Sequence, residues 1–450
     1  MRGPQRSAKQ PSGLRGNRDY TLYWSASMLS GLGSQLSVIA YPLLVLSIGG
    51  RAAQAGLVVS CSLITRTVLR LPAGQIADRV SRRRLMFVMD LIRFAGLASI
   101  PVADAGGWLG VPQLLGVAVV EGAGTALFGP AASILVRDIV PKELLTRAFS
   151  RNQAKAATFA IVGPALGGLF FAVNRVLPFT LDAASYALSA ALVLGIRTRP
   201  AERTPTAAED RRLTAGLRWL RGRPGLMRLL IYGSVMNLVA AGMEVVVIVG
   251  LRVDGAHSSV IGLVIACAGV GGIIGAVLAE RILRWFRPVM LYLSVGTIWT
   301  AGLVVFAVLP IPAVIGPVLA LLVLLTPPLS IRMSQITAGE APRELLGRIT
   351  TAETTISSGL GSLGPLLVGL LLERAGVSAA WAALAGLSLL ATVAASGPML
   401  RAQSILDPGQ AEPGPADRGV ADPSLADGGL ADSDLADPAS KPAADPVPKL

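Results

Sequence analysis

The sequence predicts an all-α membrane protein: twelve transmembrane helices in two parallel six-helix halves, followed by a disordered C-terminal tail. Three observations carry that prediction. Apolar runs long enough to span a bilayer recur from the N-terminus to about residue 400, lysines and arginines fall between them in a one-sided way, and the second half repeats the first. Composition agrees. Of 450 residues, 52% are hydrophobic and only 15% charged, and mean hydropathy is +0.62. A water-soluble globule keeps roughly a quarter of its residues charged because its surface must be wetted. This chain lacks the polar material for such a surface, so most of it must face lipid. It has few aromatic residues and 50 glycines, a small-residue mixture that lets membrane helices approach closely.

A helix crosses the hydrocarbon with about 20 apolar residues. Twelve segments qualify: 21–48, 54–77, 85–103, 112–135, 153–173, 177–196, 228–251, 258–279, 288–309, 313–337, 350–372 and 377–399. The first is too long for a signal-peptide core and is read as a retained helix. An even number of crossings puts both termini on one side. On that side lie 32 of the 40 Lys and Arg, with Lys155 and Arg228 counted at span edges; the other side holds only Arg51, Arg175, Arg252 and Arg374. The positive-inside rule then makes both termini cytoplasmic. Orientation and contact with phospholipid headgroups account for the net charge of +13, so nucleic acid is not invoked. Arg outnumbers Lys and the chain is rich in Ala, Gly and Pro, which points to a GC-rich bacterium and its cytoplasmic membrane.

A shift of 201 residues aligns PKELLTR (141–147) with PRELLGR (342–348) and GPALGGL (163–169) with GPLLVGL (364–370), with ten identities between 141–170 and 342–371. The matched Pro, Glu, Arg and Gly-Pro exceed what composition supplies. Repeats in the same orientation are one known transporter architecture. The expected layout is an N-terminal segment 1–18, a first six-helix half 19–196, a basic linker 197–227, a second half 228–400 and an acidic tail 401–450. In the tail Ala-Asp recurs at Asp417, Asp422, Asp427, Asp432 and Asp437, a composition with too little apolar surface to order itself.

Other chemistries lack their residues. Cys61 and Cys267 sit in apolar runs, His257 is the single histidine, and no GxxxxGK[ST] loop occurs. No metal site, no cofactor and no catalytic residue is expected, and the chain is read as not an enzyme.

The motif GQIADRVSRRR (74–84) resembles the helix 2–3 loop of the major facilitator superfamily, with Ser81 where that motif usually has Gly. VGPALGG (162–168) resembles the helix 5 motif of its antiporter members. ALFGPAASILVRDIVPKELLTRAFSRNQ (126–153), DAASYALSA (182–190) and LRWLRGRPGLMRLL (217–230) resemble the enterobactin-exporter and macrolide-efflux branch. The resemblance covers residues 18 to about 400. It implies the major facilitator fold and alternating access, with one half rocking against the other and export driven by proton exchange. It also implies a conformational gate at Gly74, Asp78, Arg79 and Arg83, and an antiporter seal at Gly163, Pro164, Gly167 and Gly168. The superfamily often has an Arg in helix 4 where this chain has Glu121, so that Arg's role does not carry over.

Each charged residue also has a plainer reading. Asp78 either gates the inner face or balances its arginines. Glu121, where a charge costs roughly 2.5–3.5 kcal/mol on insertion scales, either carries a proton or pairs with Arg66 or Arg70. Asp90 and Arg93 are three apart and expected to pair on one helix face. Asp182 either couples or packs beside Ser185 and Tyr186. Glu244 and Asn237 share a face and could line a cavity, whereas Glu353 is expected to open a helix and complement its dipole. The glycines around Pro164 serve either the exchange seal or ordinary close packing. The reading these residues favour is a monomeric exporter exchanging protons for an amphipathic organic compound: a drug, a macrolide-like or a siderophore-like molecule. Its rivals are a proton-coupled importer or facilitator on the same fold and a non-transporting membrane scaffold or sensor.

Overall fold

The computed structural model describes residues 13–197, 212–342 and 345–401. The expected N-terminal segment up to residue 12, the linker from 198 to 211 and the tail from 402 lie outside the described residues. The helices are α1 (Arg18–Ser47), α2 (Ala52–Arg79), α3 (Arg82–Ala105), α4 (Val111–Ile139), α5 (Leu145–Val173), α6 (Leu177–Leu194), α7 (Arg212–Arg221), α8 (Pro224–Val253), α9 (Ser258–Trp285), α10 (Pro288–Val308), α11 (Pro312–Leu324), α12 (Thr326–Glu340), α13 (Leu346–Gly361) and α14 (Gly364–Arg401).

Twelve passes result among the described residues. α1 to α6 and α8 to α10 make one each, and α11 with α12 makes the tenth, interrupted at Leu325. The apolar run Leu346–Gly397 holds the last two, because α14 turns at Gly376, whose φ of 81° breaks the helix. Gly49, Gly107 and Gly255 also have positive φ, and all four glycines mark turns at the same end of the bundle. A left-handed residue ends a helix within one step, and glycine adopts it without a β-carbon clash. We call this the far end. The basic end carries the start of α1, the α2–α3 turn and the linker.

Three segments depart from the sequence reading. α2 runs on to Arg79 and α3 starts at Arg82, so the expected loop of residues 78–84 shrinks to a two-residue turn. α5 begins at Leu145 rather than near 153, and ten residues of the linker form the helix α7. A helix continued past the hydrocarbon keeps its backbone paired internally, so apolar runs mark where it is buried, not where it stops.

The two halves meet chiefly at the far end, through two copies of one contact. On α9, a β-carbon on Gly262 would collide with the Pro164 carbonyl oxygen and lie 3.0 Å from Cα of Gly168; one on Gly269 would lie 2.6 Å from the Ala160 oxygen. On α2, a β-carbon on Gly56 would collide with the Pro365 oxygen, and one on Gly369 would lie 2.7 Å from the Ala52 oxygen. Pro164 and Gly168 thus stand to Gly262 as Pro365 and Gly369 stand to Gly56. The sequence repeat is realised as a contact repeat. The Ser60 hydroxyl accepts the Leu366 N–H at 2.9 Å, and Arg51 pairs with Glu373 at 3.1 Å. Gly163 and Gly167 face α1 instead, against Gln35 and Leu36.

At the basic end α7 is clasped to the second half. Gly216 lies on the Arg348–Ile349 backbone of α13, 2.6 Å from the carbonyl oxygen for an added β-carbon. Leu220 is buried with Leu230, Ile349 and Ala352. The Arg223 guanidinium lies 3.9 Å from the Trp219 ring centroid and pairs with Glu340 at 3.2 Å.

Two outcomes are expected. In a Cys61→Ser, Cys267→Ser, Ala160→Cys background, adding Gly56→Val forces the far end apart. A membrane-impermeant thiol reagent supplied from that side then labels the cysteine several-fold faster than without the valine; equal rates would mean these glycines do not close the far end. At the clasp, Trp219→Ala removes stacking and packing worth about 1–3 kcal/mol, whereas Glu340→Gln removes a half-exposed ion pair worth at most about 1 kcal/mol. The melting temperature in detergent should fall more for the first than for the second.

Candidate functional site

A cavity of about 1340 Å³ lies between the halves. Its walls are α8 from Leu229 to Val247 and parts of α9, α10, α11, α12 and α13, with Gln35 and Val38 of α1 and Ala154, Ala157, Ala160 and Pro164 of α5. The contacts at Gly262 and Gly56 close it toward the far end, and it opens toward the basic end. Gly74, near the basic end of α2, is exposed, with nothing within 4 Å of where a β-carbon would be. Midway along α2, Thr67 stands 3.9 Å from a β-carbon built on Gly359 of α13.

The lining is mainly aliphatic, with Met236, Met243, Met333, Tyr292 and Trp299 among it. Its carboxyls are Glu244 and Glu353. Asn237 donates to Ser357 at 2.6 Å and ties α8 to α13. Glu353 is the eighth residue of α13 and accepts from Thr337 of α12 at 2.8 Å. The expected helix-start role for Glu353 is therefore corrected. Its helix begins at Leu346, outside the apolar run that had been used to place it.

The first half holds a second, separate polar group buried among α1, α3, α4 and α6. Arg93 donates to both oxygens of Glu121, at 3.2 and 2.8 Å, and to Thr125 at 3.1 Å. Its guanidinium carbon lies 4.1 Å from the Tyr186 ring centroid. The Tyr186 hydroxyl bonds Ser34 at 2.6 Å and donates to Glu121 at 3.5 Å. Gly124 makes this possible, since a β-carbon there would strike the Arg93 side chain. Asp182 accepts from Ser37 at 2.6 Å, and Asp90 accepts from Ser189 at 2.6 Å. All four charged residues are buried. Two pairings expected from sequence are corrected here. Glu121 pairs with Arg93 rather than Arg66 or Arg70, and Asp90 turns to α6 rather than to Arg93. Arg93 is long enough to cross to α4 and make a bidentate pair, which is stronger than a same-helix contact. Arg66 stays on α2, its Nε buried without a partner.

Among the expected gate residues, Arg83 donates to the Leu194 carbonyl and its neighbour Arg82 pairs with Asp138 at 3.0 Å. These contacts fasten the α2–α3 turn to α6 and α4 of its own half. The side chains of Asp78 and Arg79 lie outside the described residues. Of the antiporter-motif residues, Pro164 and Gly168 meet α9 across the halves, while Gly163 and Gly167 pack on α1. Of the coupling candidates, Glu244 alone lines the cavity; Glu121, Asp90 and Asp182 belong to the buried group and Arg66 to neither. Gln35, which lines the cavity beneath Gly163, was passed over, although a glutamine in an apolar run is a signal of that kind.

Two six-helix halves sealed at one end around a cavity of this size define a multi-pass membrane transporter of small molecules. The chain belongs to the Major Facilitator Superfamily, whose family model matches residues 23–365. It is 28% identical over 372 residues to the multidrug efflux pump Tap of Mycobacterium tuberculosis, covering 80% of this chain and 88% of Tap. It is 26% identical over 393 residues to Tap of Mycolicibacterium fortuitum, covering 84% and 95%. Its fold is similar to that of the nucleoside transporter NupG, with a TM-score of 0.70 at 13% identity, covering 84% of this chain and 98% of NupG.

Removing one partner of a buried ion pair strands the other charge and costs about 3–5 kcal/mol, whereas replacing both by apolar residues costs far less. Glu121→Ala should therefore lower the melting temperature more than the double change Glu121→Leu with Arg93→Leu. The reverse order would show that the pair is not buried as described.

Proposed function

We propose that the protein is a secondary exporter of a bacterial plasma membrane that moves an amphipathic organic molecule outward in exchange for protons. The observation that carries this reading is the cavity: large, mainly apolar, closed at the far end and open at the basic end. By the positive-inside rule the basic end is cytoplasmic, so the cavity loads from the cytoplasm. The likeness to Tap, a multidrug efflux pump by its name, supports export over import.

Alternating access then needs two changes. The glycine contacts at Gly262 and Gly56 must part, and α2 must close on α13 at the basic end. Asp78 and Arg79 stand at the end of α2, where an acid could meet the N-terminus of α13, whose dipole favours it. Proton coupling is assigned to the buried group of the first half, where Asp90, Glu121 and Asp182 share the one cation Arg93. Glu121 is occupied by that cation. Asp182 and Asp90 rest on serine hydroxyls, which suit a carboxyl in either protonation state, and a neutral carboxyl costs far less to bury than an ionised one. Asp182, bonded to Ser37 of α1, is the first choice for the proton carrier.

Efflux of a fluorescent amphiphile and of a macrolide from loaded cells tests the reading. Export against a gradient should stop with a protonophore, and Asp182→Asn and Asp78→Asn should each reduce it at least tenfold at equal expression. Export that persists with the protonophore would rule out proton exchange.

A further inference from the structure

We propose that the cavity selects cationic amphiphiles, molecules with an apolar body and one positively charged nitrogen or phosphorus, and that Glu244 recognises the charge. The inference rests on the assignment of the cavity as the substrate site and gives the substrate its chemical class.

The charge pattern of the cavity is opposite to that of the chain. The protein carries a net charge of +13, yet among the described residues no Lys, Arg or His lines the cavity, while Glu244 and Glu353 do. Of the basic residues adjacent to the lining in sequence, two are held by partners outside it. Lys155 donates to Ser27, and Arg332 donates to the Leu283 carbonyl at 2.8 Å. A ligand in this space meets carboxyl groups and no fixed cation.

The two carboxyls occupy different depths. α8 and α13–α14 run parallel, with Asn237 beside Ser357 and Gly361, and Gly242 beside Gly364 and Val368. That register places Glu353 level with a residue near 230 on α8, roughly 20 Å nearer the opening than Glu244 at 1.5 Å of rise per residue. Glu353 stands toward the mouth and is held by Thr337. Glu244 stands toward the closed end, half-buried between Met243 and Val247, and has no hydrogen-bond or ion-pair partner among the described residues. An ionised carboxylate in an apolar wall is costly unless a counter-charge reaches it, and no side chain of the lining supplies one. A bound organic cation does. The surrounding walls suit its body: they are mainly aliphatic, and methionine, as at Met333, adapts to differing shapes. Negative groups at both mouth and closed end also draw a cation inward.

The test is equilibrium binding to the purified full chain in nanodiscs, followed by tryptophan fluorescence, with tetraphenylphosphonium and the neutral triphenylphosphine oxide as probes. The wild type should bind the cation at least about tenfold more tightly than the neutral probe, a difference of 1.4 kcal/mol. Glu244→Gln should remove most of that preference with little effect on the neutral probe, and Glu244→Asp should retain most of it. Glu353→Gln should lower cation affinity by a smaller factor. Equal affinity of the wild type for both probes, or an undiminished preference in Glu244→Gln, would overturn the proposal. So would equal losses for both probes in a Glu244→Gln protein that remains monodisperse. Because binding at equilibrium needs neither a gradient nor a direction, a cation preference without protonophore-sensitive efflux would count against proton-driven export and leave this inference standing.

Discussion

The structure depends on how closely two backbones can pass in lipid. Apolar surface gains nothing by leaving hydrocarbon for more hydrocarbon, so helices there associate through close packing and short polar contacts. At the far end this is taken to its limit, with carbonyl oxygens of Pro164 and Pro365 set against Gly262 and Gly56. No side chain larger than hydrogen fits at those two positions without moving a helix. Proline adds to the effect. It donates no N–H, so the carbonyl four residues before it has no helical partner, and for Pro164 that carbonyl is Ala160, which faces Gly269. The seal therefore joins main chain to main chain. Such a contact separates as a unit, without the re-pairing of long side chains.

The remainder follows from closing one end only. With the halves in contact from Ala52 to Ser60 and from Ala160 to Gly168, the parts of α2, α5, α9 and α13 nearer the basic end diverge, and the cavity is the space they leave. Charge is divided along the same line. The first half buries its charged residues in a pre-paired group around Arg93, fixed by bidentate geometry, a stacked tyrosine and three serines. The second half places two carboxyls, Glu244 and Glu353, on the cavity wall. A protein that must open and close around cargo benefits from this division, because the paired group moves as part of a rigid half while the unpaired carboxyls meet whatever enters.

Much of this was legible in the sequence, for identifiable reasons. Span number follows from hydropathy. The offset of 201 residues that aligns GPALGGL with GPLLVGL also anticipated that the two Gly-Pro sites occupy equivalent places. Pairing was not legible. Asp90 and Arg93 look like helix-surface partners at i and i+3, but a long arginine in lipid takes the better-shaped acceptor on the next helix, and only the space left by Gly124 shows which. The facing of Glu244 could not be read from periodicity either, because α8 is buried on nearly all sides and a helix buried all round has no polar stripe to orient it. Glu353 was misplaced because α13 starts before its apolar run does.

These misreadings share a cause. Each involved an ionisable residue inside a span, where local sequence rules are weakest and the cost of an unpaired charge is highest. That cost can be met in only a few ways: a partner on another helix, a proton, or a ligand. Arg93 and Glu121 take the first. Asp90 and Asp182, with hydroxyls but no cation of their own, suit the second. Glu244, with neither, is left for the third. What balances each of these charges thus distinguishes the ion pair, the hydroxyl-bonded acids and the unpartnered Glu244 within one chain.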